Sequence, residues 1–302
     1  MQILRRRGAE RMSLDDDDYQ NTSAPPLSPA MKPTSILTSS LLAVSVSAAA
    51  ITNTIPPRQD SQQSLSSISA EHEYFKQASF NPQYDPRFAS EPLPYAQQKA
   101  AMQVLIQTCL STLADLGIEA WLMHNTLLGW WWGQHNLPWT AEADLQIAAH
   151  SLSFLAAYYN MTMFFYKYPD VPEGRHFRLE INPHFASTIV STANHVDARW
   201  IDLQTGLYID LAAIRYERPS APGAAPMLRD KSGFHYADTD IFPLWETTFE
   251  GVNAMIPHNF KRLLVDEFGV SALTDTRANS HFFREDTMTW EHARPENEFF
   301  EL

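Results

Sequence analysis

A chain of 302 residues, 44% hydrophobic and 12% aromatic with 8 Trp, has room for one large domain with tails and can build a sizeable core. Its 35 acidic and 22 basic side chains give a formal net charge of -13, and no Lys/Arg block is long enough to track a phosphate backbone, which argues against a nucleic-acid partner. The one cysteine, Cys109, excludes an intrachain disulfide framework and a Cys-based structural zinc site.

Residues 1–30 hold Arg5-Arg6-Arg7 and the Asp15–Asp18 run, and read as a disordered extension or one lying upstream of the true start. Residues 31–50 begin Met31-Lys32, pass through an apolar run from Ile36, and reach Ala48-Ala49-Ala50. That is the layout of a secretory signal peptide. The run is too short and Ser-rich for a membrane span, which takes about 20 apolar residues. Either cleavage falls near Ala50, or the segment is a signal-anchor with weak membrane association, or it is a tail with a chance apolar patch. The expected residence is the secretory lumen, Golgi or ER, or outside the cell. Asn160-Met-Thr162, a glycosylation acceptor triplet, fits that placement. Residues 51–90, with Pro56-Pro57 and a Ser/Gln stretch, read as a linker to a folded domain over 91–302.

Within that domain, Met102, Leu105, Ile106, Cys109, Leu110, Leu113 and Leu116 recur at helical spacing, predicting a helix over 95–116 that Gly117 stops. Cys109 falls in the apolar stripe and is expected to be a buried, inert thiol. A short strand follows over 118–123, then a helix over 125–134 carrying Trp130-Trp131-Trp132. Pro138-Trp139 breaks the chain before a strand over 141–148. A helix from Ser151 to Tyr159 and strands over 161–166 and 178–181 come next. Residues 199–203 and 207–214 flank Gln204-Thr205-Gly206 as a hairpin, and 260–268 reads as a helix ending at Gly269. The mixture of helices and at least one hairpin predicts an α+β fold with a mixed sheet flanked by helices.

Chemistry concentrates on two strands. Alternation over 141–148 puts Glu142, Asp144 and Gln146 on one face and Ala143, Leu145 and Ile147 on the other. Two acids so placed can hold one divalent cation, which phosphoryl transfer uses to neutralise oxygens and align groups. The hairpin repeats the pattern, with Tyr208 and Asp210 opposite Leu207, Ile209 and Leu211. Asp210 lies between apolar neighbours, so a metal or a cationic partner is needed to relieve it. Three consecutive tryptophans cannot share one helix face; core packing is expected for most of them, with one available to line a sugar site.

His124-Asn-Thr-Leu-Leu-Gly129, Trp130–Trp132, Leu137-Pro-Trp139 and Ala143-Asp-Leu-Gln146 together resemble the central motif of the LicD, fukutin and fukutin-related nucleotidyltransferases. The resemblance is closest to fungal members connected with mannosylphosphorylation of glycans. Glu180-Ile-Asn-Pro183, Asp197–Asp202, Gly206–Asp210, Ile241–Leu244, Phe249–Val252 and Ile256-Pro257 extend it over about 95–270. The family pattern there is roughly H-G-T-L-L-G, a spacer, and P-W-D-x-D-x-D. This chain has Asn125 for the glycine, Thr140 for the first acid and Glu142 for the second.

The resemblance implies a nucleotidyltransferase-like mixed sheet and metal-dependent transfer of a phospho-sugar, such as mannose phosphate from GDP-mannose, to a glycan hydroxyl. It implies Glu142, Asp144 and Asp210 as catalytic metal ligands for Mg²⁺ or Mn²⁺. His124, Asn125, Thr126, Arg199 and Asp202 complete the expected substrate-binding set around a nucleotide-sugar donor and a glycan acceptor. The alternative is a catalytically degenerate member that binds or regulates a glycan phosphotransferase.

Overall fold

The computed structural model describes residues 73–293, apart from 169, 170, 188–193, 220, 222 and 224. The expected extension, signal segment and most of the linker therefore lie outside the described residues.

Helix α1 (Tyr95–Asp115) buries Met102, Leu105, Ile106, Cys109, Leu110 and Leu113, the stripe that its spacing predicts. Each fully buried Leu or Ile contributes roughly 1.5–3 kcal/mol. Cys109 is wholly buried, and burial pushes its thiol far above the ordinary range, as an inert core residue requires. After α1 come β1 (Ala120–Leu122), α2 (His124–Gly133), β2 (Asp144–Ala148), α3 (Ala149–Tyr158), β3 (Met163–Tyr168) and β4 (Val171–Ile181). The chain continues through β5 (Ala198–Asp202), β6 (Tyr208–Tyr216), β7 (Met227–Arg229), β8 (His235–Ala237) and the short α4 (Asp238–Ile241). It ends with β9 (Trp245–Phe249), β10 (Val252–Ile256), α5 (Phe260–Phe268), β11 (Arg277–Ala278), β12 (His281–Arg284) and β13 (Thr289–His292).

Among the described residues ten strands form one sheet, with main order β3-β4-β5-β6-β2-β1-β10-β9, while β7 and β8 extend from the end of β6. It is mixed, as expected: β2 runs parallel to β6 and β1 parallel to β10, while the other pairs are antiparallel. Strands β11–β13 make a separate small sheet. In β6, Ile209, Leu211 and Ala213 are fully buried, so the apolar face of the predicted hairpin strand is the core face.

Four expectations change. The strand predicted over 141–148 starts at Asp144, leaving Glu142 on the preceding loop, where its N–H donates to Thr140 Oγ1 at 3.1 Å. Strand β4 is longer than the predicted 178–181 because its outer half pairs only with the edge strand β3 and carries no apolar alternation. The β9–β10 hairpin was not foreseen, although Glu250-Gly251 marks it: both residues have positive φ (49° and 80°), the geometry of a type I′ turn. Finally, residues 73–90 are not linker. Phe75 and Tyr84 are buried, Tyr84 bridges to Leu207, and the Asp85 N–H donates to Gly206 O at 2.8 Å.

Candidate active site at the Asp144 and Asp210 strand pair

Parallel pairing of β2 and β6 sets Asp144 directly beside Asp210. Cross-strand partners share a sheet face, so the two carboxylates open into the same cavity, of about 380 Å³. His124 and Asn125 from the start of α2, Glu142 from the loop, Asp230 and Ser232 after β7, Phe234, and Glu267 from α5 also line it.

Asp144 is fixed from behind. Its backbone N–H donates to the buried Thr126 hydroxyl at 2.7 Å, and its own carbonyl accepts the Met123 N–H. Its Oδ2 is enclosed yet meets no hydrogen-bond donor among the described residues. Burial first, then the negative charges of Glu142, Glu267 and Asp210, raise its pKa to about 6, against the lowering pull of His124. A carboxylate enclosed in this way keeps one oxygen unsatisfied among the described residues.

Asp210 has already found its cation. Arg199 Nε donates to its Oδ1 at 2.7 Å and Nη2 to its Oδ2 at 3.2 Å. Arg199 is buried, lies over the Tyr208 ring at 3.4 Å and the Phe75 ring at 4.7 Å, and donates from Nη1 to Lys76 O at 3.1 Å. Of the two remedies for a carboxylate set among apolar neighbours, the cationic partner is the one realised.

His124 packs against Phe234, and its Nδ1 lies 2.9 Å from both Glu267 oxygens. Its φ is 50°, uncommon for a residue with a side chain. Burial pulls its pKa down, but the Glu267 hydrogen bond and charge, with Asp144 and Asp230 behind them, carry it above the ordinary value. Burial likewise raises Asp230, partly offset by N–H groups of its own loop.

The remaining expected residues part company. Thr126 is wholly buried and serves Asp144 rather than the cavity. Arg199 is buried, stands outside the cavity lining, and directs its guanidinium to Asp210 and Lys76 O. Asp202 lies outside the cavity lining: it organises the β5–β6 turn by accepting from Gln204 N and Thr205 Oγ1, and pairs with Arg175 at 3.2 Å. Trp130, Trp131 and Trp132 pack on the core and donate to Thr247, Leu273 and Ala272; none lines this cavity. Asp230 and Glu267 were not anticipated. They are remote from the strand pair in sequence and reach it only through the packing of β7 and α5.

The donors present fit a hard divalent ion at one corner. Asp144 supplies an unsatisfied carboxylate oxygen and Glu142 lines the same cavity, whereas both Asp210 oxygens belong to Arg199. Among the described residues, no three His, Cys, Asp or Glu side chains form a ready-made ion cage. Magnesium is commonly held this way, by one or two carboxylates with substrate phosphate and water completing the shell.

The nucleotidyltransferase domain of LicD, FKTN and FKRP matches residues 117–259. Mannosyltransferase regulator 4 of Saccharomyces cerevisiae is 32% identical over 119 residues, which cover 39% of this chain and 10% of that protein. Mannosyltransferase regulator 14 of the same yeast is 28% identical over 124 residues, covering 41% and 13%. This chain thus spans only a small part of the length of those relatives. The matched residues include β1, α2, β2 and the β5–β6 hairpin that build the cavity, so over this stretch the chain is similar to the LicD/FKTN/FKRP nucleotidyltransferase domain.

Proposed function

We propose that the cavity takes a nucleotide-activated sugar together with Mg²⁺ or Mn²⁺, and that the chain transfers the phospho-sugar to a glycan hydroxyl in the secretory pathway. The observation that carries this reading is the enclosed, donorless Oδ2 of Asp144. Charge supports it: Glu142, Asp144, Asp210, Asp230 and Glu267 line the cavity, and the Arg199 charge is already committed to Asp210. A phosphate entering alone would be repelled, so an anionic donor needs a divalent ion to accompany it. Bound there, the ion would neutralise phosphate oxygens and stabilise charge on the departing group.

The protein's own part is positional. Thr126 and the β2–β6 register hold Asp144, Arg199 holds Asp210, and Glu267 holds His124 and raises its proton affinity. Asn125 lines the cavity where the family pattern has glycine, so an amide meets the ligand instead of bare backbone.

A second reading is a non-catalytic member that binds donor or glycan and regulates a transferase. It is favoured by the Arg199 claim on Asp210 and by the regulator names of the two yeast relatives. Calorimetry of the wild type and Asp144→Asn with GDP-mannose and other nucleotide-sugars, with and without Mn²⁺, separates the cases. Manganese-dependent binding with turnover, lost in Asp144→Asn, supports the enzyme. Binding without turnover supports the regulator. Failure to bind metal and donor removes the enzyme and leaves the regulator only as a binder of glycan.

A further inference from the structure

A second cavity, of about 400 Å³, lies beside the acidic one and shares Gln83 and Ala141 with it. Its volume falls in the range of small-molecule sites, about 300–1,000 Å³. Helix α1 gives it Tyr95 and Gln98, the loop after α2 gives Asn136 and Trp139, and β13 gives Trp290. We propose that it is a subsite for an uncharged sugar, the acceptor end of a glycan whose hydroxyl is presented to the neighbouring acidic cavity. This deepens the proposed function and rests on it only for the word acceptor.

Two enclosed polar atoms carry the inference. Asn136 Oδ1 and Trp290 Nε1 are buried, and neither has a hydrogen-bond partner among the described residues. Buried polar groups are almost always paired, so each such exception asks for an explanation. Here both exceptions belong to the lining of one cavity, and they are of opposite kind: an acceptor and a donor. A hydroxyl is both donor and acceptor, so a polyhydroxylated ligand satisfies the two with one chemistry. A hydrocarbon would leave both unpaired.

The rest of the lining agrees. Tyr95, Trp139 and Trp290 supply aromatic surface for the C–H faces of a sugar ring, with the Trp139 and Trp290 rings edge-to-face at 5.1 Å. Asn81, Gln83, Gln98 and Gln103 add neutral amides, each both donor and acceptor. The buried carboxylate, Glu250, is occupied: its Oε1 accepts the Asn136 N–H at 2.6 Å and its Oε2 lies 2.9 Å from His135 Nδ1. Thr140 also lines this cavity and not the acidic one, so an uncharged hydroxyl stands where the P-W-D-x-D-x-D pattern has its first acid. Lys99 brings one exposed cation to the rim, so the lining is amide-rich, aromatic and not acidic, which favours a hydroxyl-rich occupant.

The test uses the full chain in EDTA without nucleotide, so that it is independent of metal and donor. Indole N–H signals would be followed by NMR while mannotriose, maltotriose and cellotriose are titrated in turn. Saturable millimolar binding of at least one sugar, moving the Trp139 and Trp290 signals, is expected. Trp290→Phe, which keeps a ring but loses the donor, and Asn136→Ala should each weaken it about tenfold, the loss of one buried hydrogen bond. Tyr95→Ala, at an exposed helix position, gives a third variant insensitive to folding. Asp144→Asn should leave sugar binding unchanged. No response to any of the sugars, or binding indifferent to all three lining variants, overturns the subsite. Sugar binding without metal-dependent donor binding keeps the subsite and removes the proposed transfer.

Discussion

Asp144 and Asp210 are register partners on adjacent parallel strands, yet one is held by two Arg199 hydrogen bonds while an enclosed oxygen of the other meets no donor. Their substitutions should therefore act in opposite directions. Asp144→Asn removes a carboxylate that burial disfavours, and should stabilise the folded chain at pH 7.5 by about 1–3 kcal/mol. Asp210→Asn strips the buried Arg199 of its counter-charge, and should destabilise by about 3–5 kcal/mol. Urea unfolding of both variants against wild type checks this, and equal signs would refute it.

The pH dependence follows from the same residue. Folding raises the Asp144 pKa from 3.8 to about 6, so in that window the folded chain holds a proton that the unfolded chain has lost. Its contribution is fully present below pH 3.8 and is lost as pH rises through about 6. The stability difference between wild type and Asp144→Asn should accordingly change across pH 4–6 and level off above it. A difference constant with pH would mean that Asp144 titrates normally.

Manganese should raise the melting temperature at pH 7.5 and do little at pH 4.5, where Asp144 holds its proton. At a metal concentration about 100 times Kd the expected stabilisation is about 2.7 kcal/mol. Glu142→Gln should weaken it, whereas Glu142→Asp should retain most of it, because Glu142 lies on a loop and not at a fixed strand position. Scanning calorimetry with and without Mn²⁺ reads all four cases.

Arg199→Lys keeps the charge but loses the two-pronged grip on Asp210 and the flat contact with Tyr208 and Phe75. A loss of about 2–4 kcal/mol is expected, with greater protease sensitivity around Phe75, whose segment Arg199 ties down through Lys76 O. A neutral outcome would mean that the two-pronged grip and the ring contacts add nothing beyond the positive charge.

How much of this was readable in advance depended on the range of the interactions. The α1 stripe and the inward side chains of β6 follow local periodicity, and structure and sequence agree there. The Asp144–Asp210 pairing could be anticipated because each acid stands at a polar position of an otherwise apolar strand. Glu142 was misread as a strand residue because Ala141–Ala148 alternates throughout, although pairing with β1 and β6 extends no further back than Asp144. Residues 73–90 looked like a continuation of the linker because the Pro and Ser/Gln stretch before them runs on with no periodicity; Phe75 and Tyr84, which anchor them, are single residues without a period. Asp230, Glu267 and Trp290 had no local signal, since only tertiary packing gives them a role.

Gly133 ends α2 with Met288 pressed so close that an added Cβ would stand 2.1 Å from the Met288 carbonyl oxygen. The β12–β13 ribbon is thus seated against a bare stretch of α2, with Trp290 edge-on to Trp132 at 4.9 Å. Both the ribbon and α1 fall outside residues 117–259, while the acidic strand pair falls inside. The strand pair that carries Asp144 and Asp210 and the two walls of the neighbouring cavity therefore lie on separate stretches of the chain, and a fragment trimmed to the shared stretch would lose both walls together, and Glu267 with them.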